Sequence, residues 1–186
     1  MSIEVERKFA LGDAHAALQF REAVARCGGV WQPPVTQVDV YYAHPQRNFA
    51  VTDEALRIRQ DGEASEATYK GPKLDATTKT RREITVALVD DVAAAQLAEL
   101  FEALGFRAVA EVRKTRSKAE LTWRDFALEI ACDEVEPLGW FAEIEVVVDE
   151  SDVETARQAL AELVAQLQLA GDERRSYLEL MLAAGS

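Results

Sequence analysis

The sequence predicts an α+β fold: about eight antiparallel strands curled into a barrel or tunnel, with ions inside and amphipathic helices packed outside. Three observations predict it. The strand-like segments carry charges on one parity and apolar side chains on the other. Three helical segments are amphipathic and need an apolar surface to cover. Turn signals separate the segments, with no linker, low-complexity tract or helical-period repeat between them, so residues 1–186 read as a single domain.

Ile3-Glu4-Val5-Glu6-Arg7-Lys8-Phe9 reads as the first strand. Extended, it sends Glu4, Glu6 and Lys8 to one face and Ile3, Val5 and Phe9 to the other. Arg7 falls on the apolar side, where its stem lies along the strand and its head reaches water. Asp13 caps a helix to about Arg26, and Gly28-Gly29 stops it. After Pro33-Pro34 comes a strand at about Thr36–Tyr42, then a turn at His44-Pro45. Ala55–Gln60 and Ala67–Lys70 form a hairpin through Asp61-Gly62. A polar loop follows Gly71-Pro72-Lys73 and runs through Asp75–Thr78, and Lys79–Ala87 is the next strand.

Asp90 or Asp91 caps a second helix to Leu104, with Leu97, Leu100, Phe101 and Leu104 on one stripe and Gly105 after it. Four strand candidates follow: Arg107–Ser117, Lys118–Trp123, Ala127–Asp133 and Trp140–Val148. Ser151-Asp152 caps a third helix over Val153–Leu169, and a short helix at Ser176–Ala183 closes the chain. His15 and His44 have no partner at metal-ligand spacing and read as structural or solvated. Glu102, Glu154 and Glu162 read as exterior helix positions.

The charges sort by strand face. Glu4, Glu6 and Lys8 share a face, as do Arg57 and Arg59, and Lys79, Arg81 and Glu83. Lys114, Arg116 and Lys118 share a parity, and so do Glu129 and Asp133. Glu143 and Glu145 alternate with Ala142, Ile144 and Val146. If the helices cover the apolar faces, the ions line the inside of the curve. The alternative is an open sheet whose charged face simply meets water. Like charges crowded away from water need counter-charge. Carboxylate oxygens suit Mg²⁺ or Mn²⁺, and magnesium completes its shell with water and phosphate oxygens. Arginine forks and lysine point charges match phosphate, and so many cations on one cavity call for a highly charged anion such as a triphosphate.

Composition narrows the partners. The 186-residue chain has a net charge of −12 and a pI near 4.7, which counts against nucleic-acid binding but not against a small anion held by a local basic cluster. Cys27 and Cys132 have no metal-type spacing and read as reduced thiols. No signal peptide or membrane-length apolar run is present, so a cytoplasmic protein is expected.

Taken together, Glu4-x-Glu6-x-Lys8, Leu56-Arg57-Ile58-Arg59, Tyr69-Lys70-Gly71, Arg82-Glu83, Lys114-Thr115-Arg116, Asp133-Glu134-Val135 and Leu138-Gly139-Trp140-Phe141-Ala142-Glu143-Ile144-Glu145 resemble the CYTH superfamily, the triphosphate tunnel metalloenzymes. The matches run in family order along nearly the whole chain. The resemblance implies an eight-stranded antiparallel tunnel that processes a triphosphate with a divalent metal. It implies Glu4, Glu6, Glu143 and Glu145 as metal-side acids, with Asp133 a further ligand or water-orienting catalytic group. Lys8, Arg57, Arg59, Lys70, Lys114 and Arg116 match phosphate-binding bases, Lys8 with a catalytic role. Glu83 matches a catalytic tunnel acid and Arg81 shares its face, with Lys73 and Lys79 as loop or rim additions.

Arg175-Ser176-Tyr177-Leu178-Glu179-Leu180 is similar to the class IV adenylyl cyclase-like branch, which converts ATP to cyclic AMP and pyrophosphate. The His-Phe pair that precedes the triplet in those cyclases has no counterpart before Glu4. The alternative is a hydrolase of thiamine triphosphate or inorganic tripolyphosphate, and a further one is a module that binds nucleotide or polyphosphate without turnover. Tyr41, Tyr69 and Trp140 are the aromatics weighed as base-stacking groups, against ordinary packing.

Overall fold

The computed structural model describes residues 2–62, 64–73 and 81–184. Of Ser2, Lys73 and Arg81 the backbone alone is described. Lys79 and the loop from Asp75 to Thr78 lie outside the described residues. The strands are β1 (Ser2–Ala10), β2 (Val30–Trp31), β3 (Val35–Ala43), β4 (Ala55–Asp61), β5 (Ala64–Lys73), β6 (Arg81–Leu88), β7 (Arg107–Trp123), β8 (Phe126–Glu136) and β9 (Gly139–Asp149). Eight of them pair in the order β1-β9-β8-β7-β3-β4-β5-β6, and the two-residue β2 lies beside β7. The sheet is antiparallel with helices packed on it, the α+β class that the alternation predicts. The helices are α1 (Ala14–Arg26), α2 (Phe49–Thr52), α3 (Asp91–Ala103), α4 (Val153–Gln166) and α5 (Tyr177–Ala184).

The chain divides into two compact units, and the division falls within β7, between Lys114 and Thr115. The first unit holds β1, β2, β8, β9, the later part of β7, α1 and α4. Its core is one face of the sheet covered by two helices. Val5 and Phe9 of β1, Leu128, Ile130 and Cys132 of β8, and Ala142, Ile144 and Val146 of β9 pack with Phe20 and Val24 of α1 and Leu160 and Leu163 of α4. Ions are thus left for the other face. Asp13 caps α1 as expected, its Oδ1 accepting from the Ala16 N–H at 2.8 Å. Gly28 follows at φ 95°, a conformation that glycine takes without strain. Arg7 leaves the core edgewise and forks onto Asp172 at 2.8 and 2.7 Å. Leu160→Ala empties part of a fully buried position, and we expect a loss of about 2–5 kcal/mol in a urea-unfolding measurement.

The second unit holds β3 to β6, the earlier part of β7, α2, α3 and α5. Here Tyr42 of β3, Ile58 of β4 and Ala67 of β5 pack with Ala94, Leu97 and Phe101 of α3. Asp90 caps α3 through the Ala93 N–H at 2.8 Å. Ser176 and Glu179 form a reciprocal capping box at the start of α5: the Ser176 N–H donates to the Glu179 carboxylate at 2.6 Å, and the Glu179 N–H donates to Ser176 Oγ at 3.1 Å.

Several boundaries differ from the sequence-based expectation. The two strands expected at Arg107–Ser117 and Lys118–Trp123 are one continuous strand, β7. The physical reason is that its odd-numbered face changes surroundings. Val109, Glu111 and Arg113 are exposed, whereas Ala119 and Leu121 enter the first unit's core, so the apolar pattern starts midway and mimics a new strand. The third helix ends at Gln166, short of Leu169. Both β2 and α2 are too short to show a period and were not anticipated.

Candidate active site

In the first unit, register decides which ions meet. Residues directly opposite each other in a pair of strands point to the same face. Glu6 pairs with Glu145, and Glu145 pairs with Glu129, so three carboxylates form a row across β1, β9 and β8. Lys8 stands opposite Glu143 in the next row, and Glu4 flanks the row on its other side. Neighbouring strands lie about 4.8 Å apart, so these acids are crowded. Burial, and then the charges of Glu4, Glu129, Glu143 and Glu6, push the Glu145 carboxyl up to about 8. Lys8 is 2% exposed.

Arg116 and Lys118 of β7 bring positive charge to this face. Arg116 donates through Nε and Nη2 to the two oxygens of Asp133, at 2.7 and 2.5 Å, and its Nη2 also reaches Glu143. Lys118 lies 2.8 Å from Glu129. Asp133 is fully buried, and both its oxygens accept from the Arg116 fork. The expectation that it binds metal or orients water is therefore set against an observed salt bridge.

Among the described residues no three acid, imidazole or thiol groups are drawn together tightly enough to hold a cation as they stand. Glu143 and Glu129 are turned to Arg116 and Lys118 instead. The donor set still fits a hard divalent ion. It consists of carboxylate oxygens on one face, and Glu145 is held above its ordinary range by burial first and by its acidic neighbours second.

In the second unit the charged face is also set by register. Asp39 and Tyr41 of β3 face Arg59 and Arg57 of β4, which face Glu66 and Thr68 of β5. Lys70 faces Glu83 of β6 and lies 2.6 Å from it. Thr68 and Thr85 share a hydrogen bond at 3.2 Å. Asp39 accepts from Arg59 Nε and Nη2 at 2.6 and 2.7 Å, and from Arg57 Nη1 at 3.4 Å. Burial opposes the ionised form of Asp39, but the Arg59 hydrogen bond and the charges of Arg57, Arg59 and Lys114 hold it at about 2. Lys114 is 2% exposed, its Nζ 5.2 Å from the centre of the Tyr177 ring.

Sequence reasoning brought Arg57, Arg59, Lys70, Glu83 and Lys114 forward but passed over Asp39 and Glu66. The signal for Asp39 was its parity with Gln37 and Tyr41. For Glu66 it was an acid at the parity of Thr68 and Lys70. The backbone of Arg81 pairs with Lys73, and its side chain is outside what is described.

The aromatics separate cleanly. Tyr69 lies on the opposite parity, its hydroxyl donating to Glu54 at 2.5 Å, and Trp140 packs against the first unit's core. Tyr41 alone of the three lies on its unit's charged face, where it is buried. His44 has a structural place: its Nδ1 accepts from the Gln46 and Arg47 N–H groups, and its ring meets Phe49 and Phe106. Cys27 and Cys132 are free thiols, and burial pushes the Cys132 thiol up to about 12.

A family profile described as the CYTH domain matches residues 2–177. The chain belongs to the CYTH family. A Methanocaldococcus jannaschii protein named "putative adenylate cyclase" is 34% identical to this CYTH chain over 181 residues, covering 96% of it and 98% of the relative. The PH1819 protein of Pyrococcus horikoshii OT3 has a structure with a TM-score of 0.82 at 36% identity, covering 97% of this CYTH chain and 99% of that one. A Hippeastrum protein described as a "putative adenylyl cyclase" with a dominant triphosphatase activity shares the CYTH fold. Its TM-score is 0.73 at 15% identity, over 99% of this chain and 96% of that one. CYTH proteins are typically triphosphate-processing enzymes that use divalent metal ions. Among the described residues no helix is long and apolar enough to cross a membrane.

Proposed function

We propose that this CYTH protein is a single-domain, cytoplasmic enzyme that processes a small-molecule triphosphate with Mg²⁺ or Mn²⁺, first read as an adenylyl cyclase of the class IV type. The row Glu6–Glu145–Glu129 carries this reading, because burial and the acids around it disfavour the ionised form of Glu145, and a cation on that face would offset both. Glu4, Glu6, Glu143 and Glu145 would hold the ion. When bound, it neutralises phosphate charge and acidifies the attacking hydroxyl.

The chain's own bases do the rest. Lys8, Arg57, Arg59, Lys70, Lys114 and Arg116 donate to phosphate oxygens, where negative charge gathers as the leaving group departs. Arg81 is assigned to the same set from the sequence pattern alone. Glu83 steadies Lys70 and Asp133 steadies Arg116, each through its ion pair. In cyclisation the ribose 3′ oxygen of ATP bonds to the α-phosphorus, the bond to the bridging oxygen breaks, pyrophosphate leaves and the hydroxyl proton passes to solvent. The relative named "putative adenylate cyclase", at 34% identity, supports this order of readings.

Hydrolysis is the second reading, and one observation favours it. Of Tyr41, Tyr69 and Trp140, none offers an open aromatic surface on a charged face. A substrate with no base to stack, such as tripolyphosphate, needs none. Water would then attack the γ-phosphorus and release orthophosphate.

Incubation with ATP, thiamine triphosphate or tripolyphosphate, each with Mg²⁺ or Mn²⁺, separates the readings. Cyclic AMP with pyrophosphate is the expected product. Orthophosphate instead selects the hydrolase. Binding without any product leaves only a nucleotide- or polyphosphate-binding module.

A further inference from the structure

Arg57 and Arg59 lie two residues apart on one face of β4, about 7 Å along the strand, and share two acids of different kinds. Arg59 stands directly between Asp39 on β3 and Glu66 on β5 in the strand register. The Asp39 side chain is 1% exposed. It takes the Nε–Nη2 edge of Arg59 and one Nη of Arg57. That edge is the rigid side of the fork, so Asp39 fixes the plane of the guanidinium. Glu66 is different. Its side chain is 33% exposed, and a single oxygen, Oε1, lies 3.2 Å from Arg57 Nη2 and 4.0 Å from Arg59 Nη1. One carboxylate oxygen thus accepts a hydrogen bond from Arg57 and stands within ion-pair distance of Arg59, a place between two guanidinium groups that a phosphate oxygen would also suit.

We propose that Asp39 is a positioning residue that holds Arg57 and Arg59 as one fork, and that Glu66 is a placeholder carboxylate which the triphosphate displaces from it. The inference rests on the triphosphate reading above and deepens it. An incoming anion displaces whichever acid loses least. Removing Asp39 would strand a buried charge, whereas Glu66 has solvent to turn into. Asp39, held at about 2, also stays ionised across any working pH.

Binding of inorganic tripolyphosphate, measured by calorimetry on the full chain with Mg²⁺ present, tests this with Glu66→Gln and Asp39→Asn. Each substitution removes one negative charge, so charge counting alone predicts tighter anion binding for both. Placeholder and positioner predict opposite signs. Glu66→Gln should lower Kd by about fivefold or more, and Asp39→Asn should raise it by about tenfold or more.

A Glu66→Gln protein that binds no tighter than wild type overturns the proposal. So does a folded Asp39→Asn protein that binds as well as wild type or better. Where Asp39→Asn does not fold, Glu66→Gln alone decides. A wild-type chain that binds no tripolyphosphate removes the triphosphate reading and this proposal together. A binding wild type whose variants shift in the same direction removes only the proposal.

Discussion

Glu6→Gln is expected to lower kcat/KM by at least about a thousandfold for every triphosphate the protein turns over, while its melting temperature stays level or rises. Both effects follow from its place in the sheet. Glu6 sits on β1 directly opposite Glu145, on the face away from the helices, so it packs into no apolar core. An amide is a poor ligand for a hard divalent ion, and losing one carboxylate from the metal side weakens the ion's hold on substrate. Removing a negative charge from the crowd around Glu145 also relieves repulsion in the metal-free protein. Steady-state kinetics with Mg²⁺ and Mn²⁺, paired with thermal melts in EDTA, check both halves. Wild-type turnover would take Glu6 out of the metal site. A large drop in melting temperature would make it a structural residue instead.

The faces of this protein were legible in its sequence because a strand's period is two. Glu4, Glu6 and Lys8 against Val5 and Phe9, or Glu143 and Glu145 against Ala142 and Ile144, already separate ions from core. The helices then had only one surface to cover, and α1 and α4 cover it. What alternation cannot state is which residue of one strand stands opposite which residue of the next. Nothing in Gln37-Val38-Asp39-Val40-Tyr41 says that Asp39 meets Arg59, so a lone acid in an apolar strand read as unremarkable. The same gap hid the Arg116–Asp133 pair, whose members are 17 residues apart and were assigned separate tasks as phosphate ligand and metal ligand. The continuity of β7 was hidden for another reason: periodicity reports what a face touches, and that face passes from solvent into a core partway along the strand.

Metal-free protein should lose stability as pH rises from about 5 to about 8, and a divalent cation should abolish that trend. Glu145 releases its proton near 4.5 in the unfolded chain but near 8 in the folded protein. Between those values the folded state binds the extra proton, so raising pH favours unfolding; above about 8 both states are ionised and the dependence levels off. Asp39 does not mask this, because its carboxyl is held at about 2 and its contribution is already complete above its ordinary 3.8. Urea midpoints in EDTA at pH 5, 6, 7 and 8 should fall progressively, by an amount equivalent to about 3–4 kcal/mol over the range when this one group's linkage sets the scale. Glu145→Gln has no proton to lose and should give a flatter profile, more stable than wild type at pH 8. With saturating Mg²⁺ the wild-type profile should flatten too, because a cation beside Glu145 favours the ionised carboxylate that burial and its neighbours oppose. A variant whose profile matches wild type in EDTA would mean that the carboxylate row does not govern the titration. A wild-type slope unchanged by Mg²⁺ would mean that the row does not hold the metal.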